Sequence, residues 1–347
     1  MAVTEAQALA ALAAVPVGGR PLTETGRLSP VAVSGGRVSL SIAVDPAEAA
    51  AFEPVRAAAE AALRALPGVT AALVALTGER AAPPPNPAAA PKTGALAGVR
   101  HVIAVASGKG GVGKSTTACN LALAFRAMGL RVGALDADVH GPSLPKLFGL
   151  QGEPRVLAGR VLEPMDAWGV KVMSIGFLVE PEQAMVWRGP MVQSAIGQLL
   201  GEVAWGALDV LVIDMPPGTG DAQLAVAQGA RLSGAVIVST PQDLALIDAR
   251  RGVAMFRKTD VPILGIVENM AVYVCPTCGT AAHLFGEGGA RAEAARLGVP
   301  FLGEVPLAMA LREGGDRGLP VVAADPDGPH ARAYRAIAAA LWTRLAP

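Results

Sequence analysis

The sequence predicts an α/β protein: a doubly wound, mostly parallel sheet domain preceded by a small α-β-β-α-β domain. Three observations predict it. From Arg100 onward, apolar runs that read as buried strands alternate with helical patterns, as parallel strands covered on both faces do. A glycine-rich segment, Gly108-Lys109-Gly110-Gly111-Val112-Gly113-Lys114-Ser115-Thr116, lies between the first apolar run and the first of these helices. An alanine- and proline-rich stretch separates all of this from an N-terminal part with its own strand and helix periodicity. The boundaries that follow are 1–78 for a small accessory domain, 79–98 for a linker and 99–347 for the larger domain.

Taken in order, Glu5 to Ala14 has a helical pattern, and Val31–Val33 and Val38–Val44 read as strands around the turn Ser34-Gly35-Gly36-Arg37. In the second strand Val38, Leu40, Ile42 and Val44 alternate with small or polar residues, the signature of a half-buried strand. Phe52 to Leu66 is a helix with Val55, Ala59 and Leu63 on one face; Pro67-Gly68 ends it and Val69 to Leu76 is a third strand. Ala82-Pro83-Pro84-Pro85-Asn86-Pro87 and Ala90-Pro91 favour an extended, semi-stiff spacer. Strands are then expected at 101–106, 131–135, 170–175, 209–214, 235–239, 262–267 and 301–304. A last helix, 329–345, puts Tyr334, Ile337, Leu341 and Leu345 on one face. A ligand of such a domain belongs at the carboxyl ends of the strands.

Composition narrows the function classes. The 347 residues are 52% hydrophobic with a formal net charge of +0. Nothing draws such a chain in bulk to nucleic acid or acidic lipid, and no apolar run approaches the ~18 residues of a membrane helix. Neither nucleic acid nor membrane is therefore an expected partner. Met1 to Val15 is alanine-rich but carries Glu5 and no basic segment, so it reads as a helix and not as a signal peptide. Three cysteines, two of them at CxxC spacing, fit a reducing, cytoplasmic compartment better than a disulfide framework.

The glycine-rich segment fits G-x-x-x-x-G-K-[ST], between a strand, Val102 to Ala106, and a helix, Thr117 to Met128. In that context Gly108, Gly110, Gly111, Val112, Gly113, Ser115 and Thr116 offer backbone N–H groups to phosphates at the positive end of a helix. Lys114 supplies a point charge at the β/γ-phosphates and the Ser115 hydroxyl a ligand for Mg²⁺. Asp214, ending a strand and opening Asp-Met-Pro-Pro-Gly-Thr-Gly-Asp, is placed to hold Mg²⁺ through water. Asp136 and Asp138 follow another strand. One can join the metal shell and the other can orient an attacking water; we place Asp136 with the metal and Asp138 with catalysis, although spacing does not separate the two.

Cys275 and Cys278 follow a strand in a Pro/Gly-rich turn. Two thiolates at this spacing can hold one metal centre, but tetrahedral zinc or a four-iron cluster needs four ligands. The third cysteine, Cys119, falls in the helix after the phosphate loop and reads as a small buried hydrophobe. One chain therefore cannot close a four-cysteine site, whereas two chains about a twofold can. A zinc site that includes His283, and a thiol–disulfide switch, compete for the same pair.

Together, Lys109 with Lys114, the Asp136-x-Asp138 loop and the segment Asp214 to Asp221 resemble the MinD-like group of P-loop NTPases. Within that group the chain closely resembles the Mrp/ApbC iron–sulfur cluster carriers. The matches are Asp138-Val139-His140-Gly141-Pro142-Ser143, Trp187-Arg188-Gly189-Pro190-Met191, Thr240-Pro241-Gln242-Asp243, Glu268-Asn269-Met270, Cys275-Pro276-Thr277-Cys278-Gly279 and Arg312-Glu313-Gly314-Gly315-Asp316. The resemblance implies a P-loop NTPase domain that binds and hydrolyses ATP with Mg²⁺, and a Lys109 that acts catalytically across a homodimer interface. It implies an iron–sulfur cluster, [4Fe-4S] in type, bridging two subunits through Cys275 and Cys278. The partners it implies are cluster scaffold proteins and apo iron–sulfur proteins, and it puts Asn269 and Pro306 against the adenine ring. His140 stands where the family has an aromatic residue, and Ala271 where a small polar residue is common. The small N-terminal domain also resembles one found in bacterial members, but has no cysteine. A positioning ATPase like MinD or ParA is the alternative within the group; it would require a basic face, which the last helix does not sustain with Arg332, Arg335 and Arg344. A P-loop regulator with structural zinc is the other.

Limited proteolysis is expected to cut first between about Glu79 and Leu96, leaving a C-terminal fragment that keeps ATPase activity. A first cut inside 100–347, mapped by mass spectrometry, would show the boundary to be misplaced.

Overall fold

The computed structural model describes residues 3–29, 31–34, 37–44, 48–78, 96–157, 160–178 and 189–346. Residues 79–95 of the expected linker, the turn glycines Gly35 and Gly36, and Trp187 and Arg188 lie outside them. The chain divides into two units, Met1–Ala89 and Ala90–Pro347.

In the first unit, helix α1 (Glu5–Ala13) opens with a capping box: the Thr4 hydroxyl accepts the Gln7 N–H, and Gln7 returns the bond to the Thr4 N–H. A short hairpin, β1 (Pro16–Val17) and β2 (Arg20–Pro21), follows; its strands have two residues each, too short for any periodicity to announce. Strands β3 (Ala32–Ser34), β4 (Arg37–Val44) and β5 (Ala71–Gly78) form one sheet, with helix α2 (Ala49–Arg64) between the last two. β3 pairs antiparallel and β5 parallel with β4. The alternation in β4 buries Val38, Leu40, Ile42 and Val44 in one core with Leu12, Ala59 and Leu63. With the hairpin β1–β2 inserted after α1, the remaining elements follow the expected α-β-β-α-β order.

The second unit begins with β6 (Val99–Ala106), α3 (Lys114–Ala127), β7 (Val132–Asp136), α4 (Leu144–Leu147), β8 (Met165–Ala167), β9 (Val170–Ser174) and α5 (Gly189–Gly201). It continues with β10 (Leu208–Asp214), α6 (Asp221–Gly229), β11 (Gly234–Ser239), α7 (Asp243–Lys258), β12 (Ile263–Val274) and β13 (Ala281–Ala282). It ends with α8 (Gly289–Leu297), β14 (Phe301–Leu307), α9 (Met309–Arg317), α10 (Val321–Ala324) and α11 (Pro329–Leu345). The strands form one sheet in the order β13-β12-β11-β6-β10-β7-β9-β8, with β14 also on β12. Every pairing is parallel except the edge pairs β12–β13 and β8–β9. Central strands β10 and β11 are buried along their whole length, which is why they read as unbroken apolar runs. β6 lies between β11 and β10, and β7 lies on the far side of β10. The loops leaving β6, β7 and β10 therefore emerge together at the carboxyl end of the sheet. α11 packs against the sheet through buried Tyr334, Ile337 and Leu341, with Leu345 half-buried beside them.

The expected strands all form. The main difference is β12, which runs to Val274 instead of stopping near 267. Its continuation opens with two buried polar residues. Glu268 accepts the Ala290 N–H at 2.6 Å at the start of α8, and Asn269 donates to the Val112 carbonyl at 2.8 Å. The apolar run is interrupted at these two side chains, and the strand is not.

Helices α7 and α8 are tied by Glu293, 4% exposed, whose carboxylate accepts bonds from Arg250 at 2.8 and 2.9 Å and from Arg296. These bonds hold its carboxyl down at about 2, against about 4.3 in an unfolded chain. A depressed folded value stabilises above the unfolded value and is lost as pH falls through the folded one. Glu293→Gln is expected to lower stability at pH 7 by about 1–3 kcal/mol. In urea titrations that gap from the parent should shrink as pH falls from about 4.3 towards about 2. A gap constant over that range would show that the charge on Glu293 contributes nothing.

Candidate functional site

The glycine-rich loop joins β6 to α3. Gly111 and Gly113 have φ of 82° and 80°, in the left-handed region that favours glycine. Two of the glycines are also set by close approach. A Cβ on Gly108 would lie 2.1 Å from the Asp248 backbone on α7, and one on Gly113 would lie 2.1 Å from Asn269 Nδ2. The helix starts at Lys114, and its first closing bonds come from Thr117, whose N–H and hydroxyl both reach the Gly113 carbonyl at 2.9 Å. The N–H groups of the preceding turn remain available at the positive end of α3. They border an open cavity of about 480 Å³, lined among others by Lys109, Gly110, Gly111, Gly113, Ser115 and Thr116. That size suits a small-molecule ligand. Val112 is buried below the loop, and Gly108 packs on Asp248.

One ammonium and three carboxylates meet beneath this loop. Lys114 Nζ lies 2.5 Å from Asp214 Oδ1, 3.2 Å from Ser115 Oγ and 3.8 Å from Asp138 Oδ2. Asp136 and Asp214 are register partners on adjacent parallel strands and are fully buried. Burial and the Asp214 charge raise the Asp136 carboxyl to about 7, against N–H bonds from Leu144 and Asp138. Burial also raises the Asp214 carboxyl, opposed by Lys114. Two oxygens of the group, Asp138 Oδ1 and Asp214 Oδ2, are buried without a hydrogen-bond partner. Around Lys114 and the Ser115 hydroxyl, Asp138 and Asp214 each leave one buried oxygen unpartnered, a pair able to share a divalent cation with Ser115.

The two aspartates of the Asp136-x-Asp138 loop are used differently. Asp136 accepts from the backbone N–H groups of Asp138, Ser143 and Leu144 at 3.1, 2.8 and 2.9 Å, and from the Ser174 hydroxyl at 3.1 Å. Its carboxylate fastens the loop after β7 and does not line the cavity, whereas Asp138 does. The loop after β10 is clasped in turn: the Gly218 N–H donates to the Ser107 carbonyl at 3.1 Å and the Met215 N–H to Val105 at 3.0 Å.

Asn269 and Pro306 are not among the residues lining the cavity. Asn269, 5% exposed, spends its amide on Val112. Pro306 is half-buried in β14 beside Val305, the register partner of Asn269. The cavity's opposite wall contains Lys146, Leu311, Arg312 and Asp316, to which sequence reasoning attached no role. Arg312 donates to Asp316 at 2.9 Å and Glu313 at 3.3 Å. The signal was present in Arg312-Glu313-Gly314-Gly315-Asp316, noted only as a match to other sequences.

Cys275 and Cys278 occupy the tip of the β12–β13 hairpin. The Cys275 N–H donates to the Thr280 carbonyl at 3.0 Å and the Gly279 N–H to the Cys275 carbonyl at 2.8 Å, with Gly279 at φ 71°. Cys275 is half-buried and Cys278 exposed. Cys278 Sγ lies 3.2 Å from Thr280 Oγ1, and bonds from the Thr280 hydroxyl and then its N–H hold the thiol below its ordinary value. Cys119 is fully buried, which pushes its thiol well up. His283 turns Nδ1 to the Ala271 carbonyl at 3.2 Å. Among the described residues no group of three or more His, Cys, Asp or Glu side chains is placed to hold a metal ion, and no helix is long and apolar enough to cross a membrane.

The buried ion pair makes the fold itself depend on Lys114. Lys114 is only 7% exposed, and Lys114→Ala strands Asp214 in a dry site. A loss of about 3 kcal/mol in urea unfolding is expected, largely recovered in Lys114→Ala/Asp214→Asn. Equal stability of the single variant and the parent would mean the pair contributes nothing.

Comparison with known proteins follows this geometry closely. Residues 98–342 match the family described as NUBPL iron-transfer P-loop NTPase, and residues 5–74 match a second family described as iron-sulfur cluster assembly protein. The chain is 56% identical over 245 residues to an iron-sulfur cluster carrier protein of Pseudomonas fragi, covering 70% of this chain and 85% of the relative. It is 44% identical over 324 residues to a protein of the same description from Synechocystis, covering 92% and 91%. Mouse iron-sulfur cluster transfer protein NUBPL is 54% identical over 257 residues, covering 74% and 81%. Among solved structures, a nucleotide-binding protein from Archaeoglobus fulgidus in complex with ADP superposes with a TM-score of 0.60 at 44% identity, covering 68% of this chain and 92% of that one. The cell division ATPase MinD of Pyrococcus furiosus superposes with a TM-score of 0.55 at 25% identity, covering 71% and 99%. With more than half of its length matched and relatives of this identity, the chain belongs to the NUBPL iron-transfer P-loop NTPase family.

Proposed function

We propose that this protein binds and hydrolyses ATP and carries an iron–sulfur cluster, held between two copies of the chain and passed on to apo-proteins. The observation that carries the reading is the pairing of two features in one unit. One is a phosphate loop with an acidic cluster; the other is a hairpin presenting two accessible thiols and, among the described residues, no further ligand beside them. The names of the relatives, iron-sulfur cluster carrier and transfer proteins, support the cargo. The ADP-bound neighbour supports the nucleotide.

In this reading the N–H groups of 110–116 cradle the phosphates and Lys114 moves its charge from Asp214 to the β/γ-phosphates. Ser115, Asp138 and Asp214 would hold Mg²⁺, which when bound offsets charge on the phosphate oxygens. Asp138, which lines the cavity and keeps one oxygen unpartnered, is the carboxylate that orients water; Asp136, with both oxygens engaged, positions the loop that carries it. Lys109 lines the cavity mouth and reaches the nucleotide of the second copy. Leu244 and Ile247 on α7, 71% and 40% exposed, supply apolar surface near Asp248, which touches the loop at Gly108. A cluster is a substrate here: four thiolates, two from each copy, hold it until a better-anchored site removes it.

A structural-zinc reading needs two more ligands. His283 is engaged with Ala271 through Nδ1, and its Nε2 lies 3.9 Å from Glu287.

Anaerobic reconstitution with iron and sulfide is expected to give about four iron per dimer. Cys275→Ser and Cys278→Ser should each abolish uptake, Cys119→Ser should not, and dilution to monomer should bleach the colour. A cluster that persists on a monomer, or stoichiometric zinc without iron uptake, would overturn the shared-ligand reading. Lys109→Ala is expected to keep ATP binding by the isolated subunit and lose hydrolysis; loss of binding would place Lys109 in its own subunit's site.

A further inference from the structure

β12 touches both functional features. At one point it supports the phosphate loop, and its end becomes the cysteine hairpin. Asn269 Nδ2 donates to the Val112 carbonyl at 2.8 Å, and Asn269 and Met270 are the side chains that a Cβ on Gly113 would meet, at 2.1 and 3.9 Å. Immediately beyond, the strand is irregular. Its register with β14 shifts between Asn269 and Tyr273, and Met270 takes φ 57°, uncommon for a residue with a side chain. The strand resumes at Tyr273 and Val274, pairs there with Ala282 and Ala281, and delivers Cys275. The returning arm is fastened to the irregular segment: His283, next after β13, donates from Nδ1 to the Ala271 carbonyl at 3.2 Å.

We propose that the Asn269–Ala271 segment is a positioning hinge that transmits the state of the phosphate loop to the thiol hairpin, with Asn269 as its latch on the loop and His283 as its latch on the hairpin. The inference rests on the reading above that the loop binds nucleotide and the thiols hold cargo. A loop that closes on phosphates moves the Val112 carbonyl to which Asn269 is bonded. Met270, Ala271 and Val272 have no partner in the register with β14, so the backbone there can change conformation without breaking paired ladder bonds. Two latches on either side of a strained residue make an element whose equilibrium both sites can bias.

The test needs no cluster. In the reduced, full-length apo chain, the rate at which iodoacetamide alkylates Cys275 and Cys278 is measured without nucleotide and with ATP and Mg²⁺; Cys119 is buried and silent. ATP is expected to change the rate about fivefold or more, the low end of ordinary coupling between sites. His283→Ala is expected to bind ATP as the parent does but to lose that dependence, and His283→Asn, which restores an N–H donor at similar reach, to recover it. Asn269→Asp, similar in shape but unable to donate to Val112, is expected to lose the dependence as well. An unchanged alkylation rate in an ATP-bound parent overturns the proposal and leaves the nucleotide reading standing. The full ATP effect in His283→Ala or in Asn269→Asp also overturns it. Failure of the parent to bind ATP would remove the reading on which the proposal rests, and the proposal with it.

Discussion

A buried ammonium shared among carboxylates governs the second unit. Lys114 reaches Asp214 at 2.5 Å and Asp138 at 3.8 Å from the first turn of α3, while Asp136 sits beside Asp214 in register on the neighbouring strand. Such a group is poorly balanced: burial and mutual repulsion favour neutralising the acids, and one lysine opposes them. Only a parallel sheet with β6, β10 and β7 side by side brings the three loops to one place. The glycines follow from the same crowding, since Gly108 must lie against α7 and Gly113 against β12. The site is therefore assembled by the ends of the sheet, and its acidity creates the demand for an added cation.

Much of this was legible in the sequence because it obeys short-range rules. Buried parallel strands are unbroken apolar runs, and a phosphate loop has a spacing that strand and helix context make specific. What was not legible depends on partners distant in the chain. Asp136 and Asp138 are two residues apart and chemically identical; only the fold shows that Ser143, Leu144 and Ser174 claim the first and leave the second facing the cavity. Asn269 matched a position expected to touch a base, yet its amide is committed to Val112, 157 residues earlier. The end of β12 lies beyond the sequence signal because buried Glu268 and Asn269 break the apolar run before Met270 to Val274 continue the strand. The motif's spacing also does not show that Lys114 is only 7% exposed, which decides what its removal does to the fold.

The distribution of cysteines divides labour among the elements. The N-terminal unit has none, Cys119 is packed into α3, and the remaining two stand together at the end of β12. Accessible thiols are thereby confined to one hairpin. The first unit, which matches an iron-sulfur cluster assembly family, supplies no thiolate ligand.

The hairpin that carries the thiols is paired over only Tyr273–Val274 and Ala281–Ala282. So short a ladder protects few amides, and its opening free energy lies far below that of the sheet behind it. Its backbone hydrogens are therefore among the first in this unit to exchange with solvent. In the proposed reading, a cargo bonded to both Cys275 and Cys278 would close the turn between them as a covalent staple closes a loop, and remove those open states. The occupied tip would then be the ordered form and the empty tip the frayed one. Solvent exchange at residues 273–282 would then gauge whether the carrier is full.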